Sequence, residues 1–244
     1  MKLLFSKKLD KYYSWNETGD FNCDKGQIKK EVLLKAKVGD VVKTNMDVDF
    51  RVLVPSFQDK YVKLKRLAQI ITPKDAGHII SVVGNDFKRA LDCGVGSAGL
   101  TIFLAKMNSK AKIFAVDIRD DHFEHAKNNV GLFGLKNVEF IKADIYEGIP
   151  KNKLDLLTLD VAEPFRVVPH LKKALNHGAI IVSYSPCTNQ VLDFVNALNA
   201  ESDDFFIMKV VEISERYWDV GGRVIRPSTM GAQHTGFLTF VRYL

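Results

Sequence analysis

Long apolar runs are missing from this chain. The longest are a few residues, such as Ala179-Ile180-Ile181-Val182, far short of the ~18 that a membrane-spanning helix needs. The first residues, Met1 to Tyr13, carry lysines but lack the apolar stretch of ~7–15 residues that marks a secretory signal. Cysteine is scarce too. Cys23, Cys93 and Cys187 are odd in number and unevenly spaced, which argues against a disulfide framework or a metal site and fits reduced thiols in a cytoplasmic protein. Internal repeats and low-complexity tracts are absent. What remains is 244 residues of ordinary globular composition, long enough to bury about 70–75% of the unfolded surface without covalent staples.

Charge is unevenly placed. Residues 1–66 hold 15 Lys/Arg against 9 Asp/Glu, whereas residues 67–244 hold 20 of each, so the whole net charge of +6 lies in the first quarter. A basic patch attracts a polyanion over a Debye length of ~8 Å. A lysine-rich solvated surface gives the same count.

The first 66 residues read as a small basic β-rich domain. Val32-Leu33-Leu34, Val41-Val42-Lys43-Thr44 and Phe50–Val54 are strand candidates, separated by turn signals at Gly39-Asp40 and Asn45-Met46-Asp47. Residues 60–83 form a basic, partly helical connector containing Pro73. From residue 88 the pattern alternates. Strands are expected at Arg89–Cys93, Lys112–Ile118, Val138–Ala143, Leu154–Val161 and Ala179–Ser185, with helices at Ala98–Met107, Asp121–Leu135, Pro164–Leu175 and Asn189–Leu198 between and after them. Such alternation implies right-handed crossovers and a doubly wound α/β fold with a mostly parallel sheet over residues 67–244. Two last strands, Phe205–Ile213 and Gly236–Tyr243, have no helix between them and imply a terminal antiparallel hairpin at the sheet edge.

Gly94, Gly96 and Gly99 satisfy G-x-G-x-x-G between a strand and a helix, letting a ligand approach the backbone at a helix N-terminus. Alone, this loop suits a dinucleotide as well as S-adenosylmethionine. Three acids bear on the choice. Asp92 stands two residues before Gly94, where a carboxylate repels a pyrophosphate but pairs with an amino group. Asp117 ends the next strand, where an acid accepts ribose hydroxyl protons in either cofactor class. Asp144 follows the third strand, within reach of an adenine's exocyclic N–H. Each acid read singly also serves as a helix cap or a solvated loop residue.

Five segments, in order, resemble the TrmI family, the tRNA (adenine-58-N1)-methyltransferases of the single-chain archaeal and bacterial kind. They are Gln69-Ile-Ile-Thr-Pro-Lys-Asp-Ala-Gly77, Asp117-Ile-Arg-Asp-Asp-His-Phe123, Leu159-Asp-Val-Ala-Glu-Pro-Phe165, Tyr184-Ser-Pro-Cys-Thr-Asn-Gln-Val191 and Ala232-Gln-His-Thr-Gly-Phe-Leu-Thr-Phe240. The resemblance spans about residues 66–244. It implies a class I S-adenosylmethionine-dependent methyltransferase, a tRNA partner and a homotetramer. Residue by residue, it implies Ser97, Ala98, Gly99 and Leu100 lining the cofactor pocket, Asp117 on the ribose, His122 nearby and Asp144 at the adenine. Asp160 would be the catalytic aspartate and Tyr184 would flank the target base. The chain departs from the family pattern at Thr72, where some relatives carry tyrosine, at Ala98, where glycine is usual, and at Phe165, where tryptophan is frequent. Asp92 and Asp117 also stand where glutamate is common.

An aspartate suits this chemistry. Adenine N1 has a lone pair but is a modest nucleophile. A carboxylate accepting an N6–H pushes density toward N1 and stabilises the positive charge that develops there. Read without the resemblance, Asp160 is equally a cap for the helix near Pro164. N1 lies on the Watson–Crick edge, so the base must leave its stack, at about a few kcal/mol, for a pocket with apolar or aromatic walls. Tyr184 and Phe165 are candidate walls. Arg223 and Arg226, in a glycine-containing loop, are candidate phosphate contacts, and His234 and Cys187 are given no chemistry. Three other readings keep parts of the pattern: a methyltransferase of a small molecule or protein, a noncatalytic tRNA-binding subunit, and a nicotinamide-dependent oxidoreductase.

Overall fold

The computed structural model describes residues 1–229, 231 and 234–244. Ala232 and Gln233 of the last family-like segment therefore lie outside the described residues. The chain divides into two compact units, Met1–Leu64 and Lys65–Leu244.

The first unit is a four-stranded antiparallel sheet in the order Lys11–Trp15, Lys2–Ser6, Asp49–Leu53, Val41–Lys43. A ribbon, Phe21–Cys23 with Gly26–Ile28, and two short helices, Lys30–Lys35 and Phe57–Tyr61, complete it. Tyr13, Phe21 and Phe50 meet edge to face with ring centroids 5.3–5.7 Å apart, a favoured aromatic geometry. The Val32-Leu33-Leu34 triplet, expected as a strand, is helical. Leu33 alone is buried, while Val32 and Leu34 are exposed, and three residues are too few for either periodicity to declare itself. Glu31 in the first turn and Lys35 in the last suit the helix dipole.

The second unit is built on seven strands: β1 (Arg89–Cys93), β2 (Lys112–Asp117), β3 (Val138–Lys142), β4 (Leu154–Leu159), β5 (Leu175–Ser185), β6 (Phe205–Glu212) and β7 (Phe237–Tyr243). Their order is β6-β7-β5-β4-β1-β2-β3. Pairs among β1 to β5 are parallel, and β7 is antiparallel to both β5 and β6. The helices are α1 (Pro73–Val83), α2 (Gly99–Met107), α3 (Asp120–Leu132) and α4 (Thr188–Glu201). One core joins α1 and α2 to the sheet through Ile79, Leu100, Leu104, Ile113, Leu156 and Phe240. Another, on the opposite face, joins Val167, Leu171, Phe194 and Leu198 to Leu91, Leu157, Ile181 and Val241. Burial on both faces explains the continuous apolar runs Ile113–Val116 in β2 and Ala179–Val182 in β5.

Strand order reverses between β1 and β4, and open sheets of this type take ligands beyond the carboxyl ends of the strands at such a point. Two expectations shift in detail. The segment expected as one α-helix from Pro164 to Leu175 is a 3-10 helix, Pro164–His170, followed by one short turn, Leu171–Ala174. Pro169 withholds an N–H there, which ordinary helical pairing cannot spare. The terminal antiparallel pair forms as expected, with β6 on the edge and the later strand β7 inside it, against β5. The link between them carries an exposed ribbon, Trp218–Gly221 with Val224–Pro227. Among the described residues no helix is long and apolar enough to cross a membrane.

An interior β7 has a measurable consequence. Phe240 is fully buried, so Phe240→Ala is expected to lower unfolding free energy by about 3–5 kcal/mol in urea titration; a loss under about 1 kcal/mol would contradict that placement.

Candidate active site

The turn after β1 fixes the floor of the site. Gly94 and Gly96 have φ of +83° and +49°, the left-handed region that side chains disfavour. At Gly94 there is a second reason: an added Cβ would overlap the Asp160 carbonyl oxygen and crowd Val161. The Asp160 N–H donates to the Cys93 carbonyl at 2.9 Å. Glycine at 94 thus lets the ends of β1 and β4 close on each other at the switch point.

A cavity of about 500 Å³ opens there, lined by the glycine loop, the ends of β1, β2 and β4, the segment after β3, and residues 68–71. Asp92, Asp117, Asp144 and Asp160 all line it, as do Gly94, Gly96, Ser97, Gly99, Leu100 and His122. The four acids expected along the sheet's carboxyl rim therefore share one crevice. Ala98 does not line it. Ala98 is buried, in the left-handed conformation at φ +63°, and caps the start of α2, so it shapes the turn through its backbone. Phe165 is half-buried and, like Tyr184, outside the lining. Arg223 and Arg226 also lie outside it. Arg223 is in the turn of the exposed ribbon, and Arg226 on its second strand has Asp219 3.8 Å away.

Each acid has its own surroundings. Asp92 is buried, its two oxygens accepting hydroxyl donors from Thr101 and from Thr158, the latter at 2.6 Å. Burial outweighs those donors and raises its pKa. Asp117 accepts from the Gly96 and Arg119 backbone N–H groups, both at 3.0 Å, and has the His122 Nδ1 3.3 Å away. Asp144 accepts from the Tyr146 N–H at 2.9 Å. Asp160 differs, since no described residue donates to its carboxylate. Burial, with the charge of Asp92 adding to it, pushes Asp160 up to about 7. A carboxyl poised at that value is a mark of a functional site.

The glycine loop also shows what the crevice is not built for. The Gly94 and Val95 N–H groups donate to the Val116 carbonyl, Ala98 N–H to Val95, and Gly96 N–H to Asp117. Those four amides are already engaged and are not turned to a phosphate. Acid-rich walls with occupied amides favour a cationic ligand.

The Ser97 hydroxyl, Asn129 and Thr158 add contacts that the resemblance does not imply. Ser97 turns its hydroxyl to a strap over the crevice, accepting from Leu67 and Ala68 N–H and donating to the Ala68 carbonyl. Asn129 fastens the same strap by donating to the Lys65 and Ser97 carbonyls at 2.9 Å. It is buried. Thr158 lies directly opposite Asp92 in the strand register; a hydroxyl inside an apolar strand was the one available hint.

Asp160 makes a checkable link to stability. Its folded pKa of about 7 exceeds the unfolded value of ~3.9. Its contribution to stability is therefore present below about pH 4 and lost as pH rises through 7. Asp160→Asn is expected to raise the melting temperature of the ligand-free protein at pH 8 and to leave it nearly unchanged at pH 4. Equal effects at both pH values would contradict the assignment.

Comparison with known proteins agrees with this geometry. Residues 52–234 match the family model of the tRNA methyltransferase complex GCD14 subunit. The chain is 33% identical over 230 residues to a tRNA (adenine(58)-N(1))-methyltransferase TrmI of Thermus thermophilus, covering 93% of this chain and 89% of that one. It is 28% identical to a tRNA (adenine(57)-N(1)/adenine(58)-N(1))-methyltransferase of Methanocaldococcus jannaschii, covering 99% and 94%. Among solved structures it superposes on a SAM-dependent O-methyltransferase from Thermotoga maritima with TM-score 0.91 and 26% identity, covering 100% and 92%. The tRNA (m1A58) methyltransferase TrmI of Aquifex aeolicus gives 0.84 and 25%, covering 100% and 96%. The fold is that of class I methyltransferases, and the chain belongs to the GCD14 family of tRNA methyltransferases.

Proposed function

We propose that this protein moves a methyl group from S-adenosylmethionine to N1 of an adenine in tRNA, at position 58 with position 57 as a neighbouring target. The observation that carries this reading is the convergence of Asp92, Asp117, Asp144 and Asp160 on one crevice, where the Gly94, Val95 and Gly96 amides are already paired. The names of the relatives supply the substrate.

The residues fit the cofactor. Asp92 turns its carboxylate into the lining, where it pairs with the ammonium of the methionine part. Asp117, with His122 beside it, takes the ribose hydroxyls, and Asp144 takes the adenine's exocyclic N–H. The turn Ser97-Ala98-Gly99-Leu100 carries the methionine portion against the start of α2, Ala98 through its backbone alone. When bound, S-adenosylmethionine supplies an electrophilic methyl carbon on a sulfonium.

The chain's own residues do the rest. The Asp160 carboxylate accepts the N6–H of the target adenine, polarises the ring toward N1 and stabilises the positive charge that develops on it. A cation in the crevice favours that carboxylate, so cofactor binding lowers the Asp160 pKa and releases protons near neutrality. Tyr184, next in register beyond the β4–β5 pair Leu159–Ser183, forms a wall for the flipped base. It does not act as a base. Its phenol, pushed up to about 12 by burial and the charge of Asp75, already donates to the Thr235 carbonyl. Arg223 and Arg226 hold tRNA phosphates.

Residues 1–66 serve as a basic RNA-attracting domain and residues 67–244 as the methyltransferase domain, in a cytoplasmic protein. It assembles as a homotetramer, a reading supported by the exposed Trp218, Val220, Val224 and Ile225 of the ribbon. Light scattering of the purified protein is expected to give four chains per particle; a monomer would remove this part.

The central test is mass spectrometry of nucleosides from unmodified tRNA treated with protein and S-adenosylmethionine, with 1-methyladenosine expected. Asp160→Ala should still bind cofactor by calorimetry, more weakly above pH 7 because the carboxylate's attraction for the cation is gone, and lose about 10²–10³-fold in kcat. The acid limb of kcat/KM should fall near pH 7 and disappear in Asp160→Asn. Full activity in Asp160→Ala would remove the proposed role.

A further inference from the structure

Tyr184 is held by contacts that reach back to the start of α1. Its ring lies against the Gly236 backbone so closely that a Cβ there would stand 2.5 Å from Cζ. Its hydroxyl donates to the Thr235 carbonyl. Thr235 in turn is pinned from the other side. Its Oγ1 accepts from the Lys74 ammonium and donates to Asp75 Oδ2 at 2.8 Å. Lys74 also donates to Asp75 Oδ1 at 2.8 Å and to the Ile213 carbonyl at 2.6 Å, and the Thr72 hydroxyl donates to Asp75 Oδ2 at 2.8 Å.

The cluster is closed. All three ammonium protons of Lys74 have acceptors, and both Asp75 oxygens have donors. The pair is also deeply buried, with side-chain exposures of 6% for Lys74 and 0% for Asp75. A buried ion pair is poor evidence of a stabilising role, since apolar residues of similar volume often do as well or better. Its distinctive property is geometric: it ties the N-terminus of α1, the end of β6 and the entry to β7 to one point. That point is the residue whose carbonyl receives the Tyr184 proton.

Resting on the methyl-transfer reading above, we propose that Lys74 and Asp75, acting through Thr235, are positioning residues that lock the Tyr184 ring as a fixed wall beside Asp160. Tyr184 follows Ser183, and Asp160 follows Leu159, its register partner on β4. A ring held there fixes one side of the space in which a base must lie. The aligned geometry of the acceptor, not cofactor binding, is what the cluster secures.

Thr235→Val removes the bridge and keeps the volume; Thr235→Ser keeps the bridge. Protein labelled with ¹³Cζ-tyrosine reports Tyr184 directly, its signal being identified by its absence in Tyr184→Phe. In the wild type and in Thr235→Ser this signal should stay unchanged up to about pH 11, above the ordinary tyrosine value of ~10. In Thr235→Val it should titrate lower or broaden. With tRNA, Thr235→Val should lose about tenfold in kcat with cofactor affinity unchanged and a lower melting temperature, because the buried Lys74 and Asp75 are each left a hydrogen bond short, and Thr235→Ser should match the wild type. Adding Thr235→Val to Tyr184→Phe should cost nothing further, because both break one linkage. Should Thr235→Val fold poorly, the charge-free double variant Lys74→Met/Asp75→Leu is expected to release Tyr184 in the same way.

An unchanged Tyr184 signal in Thr235→Val, or in the double variant, would overturn the proposal, as would additive losses in kcat. Absence of any tRNA methylation by the wild type would instead defeat the functional reading, and the tyrosine signal would still decide the positioning claim.

Discussion

The crowding of carboxylates at the β1–β4 switch point is the constraint around which this site is arranged. Asp92 and Asp160 are brought together where the two strand ends close, and each loses solvation there. Burying an ionised carboxylate costs several kcal/mol unless donors or a cation compensate. Asp92 receives two threonine hydroxyls. Asp160 receives none from the described residues, and its pKa rises to about 7 instead. The pair is held in that state by the backbone: Gly94 yields the space that the Asp160 carbonyl occupies. A side chain at residue 94 would force the strands apart and relieve the very repulsion that prepares the site for a cation.

This arrangement separates two jobs that the glycine loop combines in dinucleotide proteins. There the loop's amides face a pyrophosphate and the helix dipole assists. Here Asp117 takes the Gly96 amide for itself, and Val116 takes those of Gly94 and Val95. Those three amides are turned inward, and the acidic character of the crevice comes from its side chains. The Ser97 hydroxyl is spent likewise on the strap at Leu67 and Ala68. The cavity is thus shaped by internal hydrogen bonds before any ligand arrives.

The legible parts of this molecule were those with local causes. Strand ends carrying acids, the glycine triplet and the alternation from residue 88 follow from nearest-neighbour rules of twist, crossover and turn, and a single chain displays them. Boundaries were less legible where polar residues interrupt a strand. β5 begins at Leu175, four residues before the apolar run at Ala179, because Asn176 and His177 offered no pattern. At Ala98 it is the left-handed backbone, not the side chain, that shapes the turn, and a string of letters does not display a dihedral angle. The family-like segments around Lys74 and Thr235 were visible as strings of letters. Their purpose was not, since they lie about 160 residues apart in sequence and meet only when the sheet forms.

That meeting depends on a topological choice. Had β7 been added at the sheet edge beyond β6, Thr235 and Gly236 would approach the edge strand and not β5. Insertion of β7 between β5 and β6 places Leu238 opposite Tyr184 and Phe237 opposite Ser185. The residues just before β7 then run alongside the carboxyl end of β5. Because β7 is antiparallel, its entry, and not its exit, arrives at the rim where ligands bind. A parallel strand in that slot would bring its own carboxyl end there, and the chain would need a further crossover helix to deliver it. The antiparallel insertion thus carries Thr235 to Lys74 and Asp75 and Gly236 to the Tyr184 ring without that helix, so the departure from a wholly parallel sheet is what completes the acceptor side of the site.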